Sequence, residues 1–132
     1  MDLRTFVDLI QKKKKFYGIK YFDFLEMTNI SKATAEKLEA AMPSRMPEIE
    51  QKLVSKVDGT VKYLFRLHDG ECIESVVMRY NHGNTICVSS QVGCRMGCAF
   101  CASTIGGKVR DLTAGEILGQ VIVASADMGE RI

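Results

Sequence analysis

No stretch of the sequence approaches the roughly 18 consecutive apolar residues that a membrane-spanning helix requires. The opening "MDLRTFVDLIQ" lacks the basic-then-apolar order of a secretion signal. Charge imbalance is also scarce: 18 Lys and Arg stand against 16 Asp and Glu, and a net charge of +2 is too small to argue for nucleic acid unaided. Histidine occurs only at His68 and His82, and there is no internal repeat or low-complexity linker. These absences exclude a membrane span and lead us to expect a cytoplasmic protein. In that compartment cysteines serve as ligands or redox groups rather than as structural disulfides. What is present suffices for a core: 46% of residues are hydrophobic, and 26% are charged, which speaks against disorder. At 132 residues the chain has room for one ordinary domain, or for a small domain and part of another. One local positive run, "KKKK" at Lys12 to Lys15, reads as a solvated helix end, with phosphate contact as the sharper alternative.

Three regions separate along the chain. Residues 1–57 read as a helical accessory region. Leu3, Phe6, Val7 and Ile10 recur at helical spacing, and Ser31 is a good N-cap for a second helix carrying Leu38, Ala41 and Met42 before Pro43 stops it. A third, short helix is predicted over Pro47 to Val54. Residues 58–84 read as a β-hairpin region: "TVKYLFRL" alternates Val61, Tyr63, Phe65 and Leu67 with Lys62 and Arg66, "HDGE" makes a turn, and "CIESVVMRY" returns. From residue 85, "TICVSS" reads as a further strand, followed by a cysteine-bearing loop and a helix. That helix is opened by the capping box of Thr113 and Glu116 and carries an apolar stripe of Ala114, Ile117, Leu118, Val121, Ile122 and Met128. Strand, long loop and helix make half of a βαβ unit without its returning strand.

Four of the five cysteines fall between residues 87 and 101. Cys94, Cys98 and Cys101 form C-x3-C-x2-C, with Gly93 and Gly97 allowing the backbone to fold around a metal. A structural zinc site wants four ligands, and neither a second cysteine pair nor a nearby histidine supplies the fourth. Three thiolates suit a [4Fe–4S] cluster with one iron left open for a small molecule. A zinc knuckle, an electron-transfer cluster and three buried structural cysteines are the alternatives. Phe100 offers apolar cover for a cluster edge or, equally, a core side chain.

C-x3-C-x2-C is the hallmark of the radical S-adenosylmethionine superfamily. The longer string "TICVSSQVGCRMGCAFCASTIGGKVRDLTAGEI", with "DGTVKYLF", "DGECIESVVM" and "SSQVGC", resembles the RlmN/Cfr family of RNA methyltransferases within it, and "STIGG" is nearer to the RlmN type. The resemblance covers residues 58–132 well. It implies an α+β fold: a small helical and β-hairpin accessory domain, then the first βα unit of a truncated radical SAM partial (β/α) barrel. It implies methylation of adenosine C2 in 23S rRNA and tRNA through a methyl-cysteine intermediate. The cofactors implied are a [4Fe–4S] cluster on Cys94, Cys98 and Cys101 and S-adenosyl-L-methionine, with a flavodoxin-like reducing electron donor as partner.

By the same resemblance, Cys87 falls where the family has a cysteine that resolves a protein–RNA intermediate through a transient disulfide, and Glu74 where it has a proton acceptor. Taken without the family, Cys87 could be a small core hydrophobe between Ile86 and Val88, and Glu74 a solvent-facing strand residue. Cys72 matches no functional position and reads as packing. The family's stretch ahead of "EMTNISKA" is poorly matched here by "FVDLIQKKKKFYGIKYFDFL", and its G-E-P segment and methyl-carrying cysteine fall beyond "MGERI". The 132-residue chain alone is therefore expected to be inactive and, with an unpaired strand edge and helix face, to self-associate. A non-catalytic RNA-binding fragment or a metal-binding module is the competing expectation.

Overall fold

Alternation in "TVKYLFRL" does what a period of two demands of a half-buried strand. In a computed structural model describing residues 25, 30–41, 45–130 and 132, β2 (Val61–Arg66) buries Val61, Tyr63 and Phe65 and exposes Arg66. β3 (Cys72–Tyr80) runs back antiparallel to it, setting Val61 opposite Val77, Tyr63 opposite Ser75 and Phe65 opposite Ile73. Directly opposed residues share a face, so these six make one continuous buried surface. β4 (Gly83–Cys87) returns along β3 after a tight turn that places Tyr80 opposite Gly83. The sheet order is β1-β2-β3-β4, with every neighbouring pair antiparallel.

β1 (Glu48–Val54) corrects the short helix expected over Pro47 to Val54. Its residues favour helix by only a few tenths of a kcal/mol each at about the upper end of the propensity scale. Pairing along β2 satisfies a whole row of backbone groups and prevails. A bulge between Ile49 and Gln51 interrupts that register, and Glu50 there ion-pairs with Arg66 at 2.6 Å.

The chain divides into two compact units, residues 1–44 and 45–132. In the first, α1 (Lys32–Ala41) begins where expected, with the Thr34 amide donating to Ser31 Oγ at 3.2 Å, and Ala35 is its buried residue. The helix expected around Leu3 to Ile10, the Lys12 to Lys15 run and Met42 lie outside the described residues.

The second unit adds a small ribbon and a helix to the sheet. β5 (Gln91–Gly93) and β6 (Lys108–Asp111) pair antiparallel and enclose the cysteine loop, in which residues Ala102–Thr104 make one 3-10 turn. α2 (Ala114–Met128) follows, opened by the expected capping box and closed by Gly129 at φ 65°. Its inward face, however, is Glu116, Gly119, Gln120, Val123 and Ala124, while Leu118 is 57% exposed. This corrects the expected stripe. Ile117 and Met128 still pack against the core, but two polar side chains occupy the inward line because they find partners there. Near the other end of α2, Asp127 accepts hydrogen bonds from Tyr63 Oη at 2.7 Å and Lys52 Nζ at 2.5 Å.

Candidate functional site

The parity of β3 decides where two of the singled-out residues sit. Because Ile73, Ser75 and Val77 face the core, Cys72 and Glu74 face the other way, and both are exposed. Cys72 is thus not the packing residue expected. Cys87 is paired with Val76 across β3–β4 and shares that outer face, which removes the reading of Cys87 as a core hydrophobe. Glu74 is ion-paired with Lys62 Nζ at 2.7 Å on the neighbouring strand.

The outer face of β3 and β4 meets the cysteine loop in a groove of about 640 Å³. Glu74, Cys72 and Cys87 line one wall, and Cys94 and Cys101 line the other. Cys72 and Cys101, 29 positions apart in the sequence, therefore border one space. Cys98 is not among its lining residues; it lies on the same loop and is half-buried.

The loop's course depends on Gly93. Its φ is +68°, and a Cβ there would stand 1.9 Å from the Gly107 carbonyl oxygen, so only glycine lets the two legs of the loop close. The Cys94 amide then donates to that same carbonyl at 3.1 Å. Inside the loop the Met96 amide points at Cys94 Sγ at 3.5 Å, and the Gly97 amide donates to Thr104 Oγ1 at 2.8 Å. Phe100 is 93% exposed, which removes its core reading.

All five thiols are free, and three of them lie within one glycine-hinged loop. Among the described residues no three His, Cys, Asp or Glu side chains converge to hold a metal ion. The donor set nonetheless fits an iron–sulfur cluster in kind: unpaired thiols and a backbone amide already directed at one sulfur. To hold one, the loop would have to draw its three sulfurs together, as is common for sites whose ligands adjust with the metal.

Both ends of the cysteine loop are held by one face of α2. Glu116 accepts two hydrogen bonds from the Arg110 guanidinium on β6, at 2.8 and 2.9 Å, and one from the Thr113 amide at 2.8 Å. The guanidinium's paired bonds, partly opposed by burial, leave the Glu116 carboxyl at about 2. Arg110 Nε also donates to Asp69 at 2.8 Å, tying β6 to the β2–β3 turn. Four residues on, Gln120 is fully buried and grips the other leg. Its Oε1 accepts from Ser75 Oγ at 2.7 Å and from the Ser89 amide at 2.9 Å, while its Nε2 donates to the Ser89 carbonyl at 2.9 Å and the Glu116 carbonyl at 3.2 Å. Ser89 Oγ in turn donates to the Glu74 carbonyl at 2.7 Å. Sequence reasoning missed Glu116 and Gln120 as site-shaping residues. The available signal was their i,i+4 spacing within an otherwise apolar helix.

No family model matches the chain. Curated relatives do. The chain is 54% identical, over 92% of its length, to a probable dual-specificity RNA methyltransferase RlmN from Clostridium acetobutylicum, and covers 36% of that protein. It is 59% identical, over 94% of its length, to the protein of the same name from Clostridium tetani, covering 38% of it. Among solved structures, a radical SAM methyltransferase from Sphaerobacter thermophilus superposes with a TM-score of 0.75 at 34% identity, over 92% of this chain and 38% of that one. The chain thus spans little more than a third of these relatives' length. Over nearly all of its own length, the chain is a homologue of the N-terminal part of the RlmN-type radical SAM methyltransferases.

Proposed function

We propose that this chain is the N-terminal part of an RlmN-type enzyme that methylates C2 of adenosine in 23S rRNA and tRNA. Residues from 85 onward would open its partial (β/α) barrel. The observation that carries the reading is the identity of 54–59% to proteins of that name across nearly the whole chain, C-x3-C-x2-C loop included. Cys94, Cys98 and Cys101 would hold the [4Fe–4S] cluster, which when bound supplies the electron that cleaves S-adenosyl-L-methionine. A flavodoxin-like protein would act as reductant, in the cytoplasm.

The groove gives the chain's own residues their work. Glu74, exposed on its wall, would accept a proton from a base entering the space; its ion pair with Lys62, which would hold the carboxylate beforehand, supports that role. Cys87, a free and exposed thiol on the same wall, can attack the sulfur of a methyl-carrying cysteine contributed from outside these residues. In that step a disulfide forms, the bond from the enzyme sulfur to the RNA-bound carbon breaks, and its electron pair leaves with the RNA.

The test uses the full-length protein. With Cys87→Ala we expect carbon–carbon bond formation to continue while the protein accumulates covalently on tRNA, visible as a shifted band in denaturing gels. Free release of methylated RNA by that variant, at the wild-type rate, would overturn the role of Cys87. A second reading is a metal-binding module alone, for which the free thiols of Cys94, Cys98 and Cys101 on one loop would supply the ligands. Anaerobic reconstitution yielding zinc without iron would support it.

A further inference from the structure

The cysteine loop is a long excursion, and its two legs pair with each other as β5 and β6 but not with the four-stranded sheet. Cys87 is the last residue of β4, and the chain then crosses Val88, Ser89 and Ser90 before β5 begins at Gln91. Where Ser89 sits therefore determines how far the wall bearing Cys87 and Glu74 stands from the wall bearing Cys94. The contact made there is unusually complete. One carboxamide satisfies both the amide and the carbonyl of Ser89, and the Ser89 hydroxyl reaches the backbone of Glu74 itself. Nothing about packing alone requires a fully buried glutamine, since burying an amide without partners costs about 1–3 kcal/mol and an apolar residue would fill the space.

We propose that Gln120 is a positioning residue that sets the width of the groove, gripping the incoming leg of the cysteine loop at Ser89 while Glu116, one turn earlier on α2, grips the outgoing leg through Arg110. The pair works as a two-point clamp because i and i+4 lie on one helix face, so a single rigid helix registers both legs against each other. Ser75, from β3, donates a separate bond to Gln120 Oε1, and both bonds between Gln120 and Ser89 are made independently of it. The significance of the groove for catalysis rests on the function proposed above; the clamp itself does not, and it is measurable in the iron-free chain.

The test compares Cys87 with Cys72, an exposed thiol on the same groove wall that serves as internal reference. Gln120→Glu keeps the acceptor oxygen but, once ionised, presents a carboxylate to the Ser89 and Glu116 carbonyls; protonated, its hydroxyl can donate again. Burial disfavours the ionised form, so the change should fall above the ordinary glutamate range. Iodoacetamide labelling, mapped by mass spectrometry from pH 5 to pH 8.5, should give a Cys87:Cys72 rate ratio that rises at least about fivefold with pH in Gln120→Glu, given one lost buried hydrogen bond. The wild type should show no such rise. Ser75→Ala removes a bond to Gln120 without touching Ser89, and its ratio should stay within about twofold of wild type while its stability falls. Hydrogen exchange at the Ser89 amide, measured by NMR, should follow the same pattern. A flat ratio and unchanged Ser89 exchange in Gln120→Glu would make Gln120 a packing residue only. Equal effects from Ser75→Ala would assign the change to general destabilisation. Failure of the wild type to take up iron would count against the proposed function and leave the clamp standing.

Discussion

Glu116→Gln is the perturbation for which the structure sets both the size of the effect and its pH dependence. The carboxyl is 5% exposed, accepts from Arg110 and Thr113, and is held at about 2 against an ordinary 4.5. A folded-state value below the unfolded one means that the contribution is fully present above about pH 4.5. It is lost as pH falls through about 2. At neutral pH the difference corresponds to roughly 3 kcal/mol. Arg110 is 28% exposed and keeps Asp69 as a partner, so its loss of Glu116 leaves no isolated buried charge. Urea unfolding followed by far-UV circular dichroism should show wild type and Glu116→Gln separated by about 3 kcal/mol at pH 7. The gap should narrow to under about 1 kcal/mol near pH 2, because the wild-type group is then protonating too. A gap of constant size from pH 7 to pH 2 would refute the electrostatic account and leave shape alone as the cause.

Gly93→Ala should be more damaging still, because a Cβ 1.9 Å from the Gly107 oxygen at φ +68° cannot be accommodated without moving backbone. Loss of more than about 3 kcal/mol and of the β5–β6 amide cross-peaks in NMR spectra is the expected result. Alanine at Cys94, Cys98 or Cys101 should each abolish the brown absorbance of anaerobically reconstituted protein, whereas Cys72→Ala should retain it; equal loss from Cys72→Ala would redraw the ligand set. Burial, and then the hydrogen bond to Asp127, push the Tyr63 phenol above its ordinary range. Its raised folded value stabilises the fold fully below about pH 10, a contribution lost progressively as pH rises from there toward the folded value, so ultraviolet titration should show Tyr63 ionising only as the chain unfolds.

The sequence by itself determined the elements whose signals are local. Alternation placed β2 and β3, the Thr113 and Glu116 pair placed the start of α2, and three thiols at fixed spacing singled out the loop. Each of those signals concerns residues within one or two turns or strands of each other, where backbone geometry alone relates them. Tertiary structure decided what depends on distant partners. Glu48–Val54 became a strand because β2 offered an edge, against its own mild helical preference. Glu74, Cys72 and Cys87 came to line the groove with Cys94 because β-sheet register fixed which face each residue took. Glu116 and Gln120 turned inward because Arg110, Ser75 and Ser89 were waiting for them. A polar residue on a helix is read as outward by pattern, and only the partner that satisfies its hydrogen bonds can bring it inside.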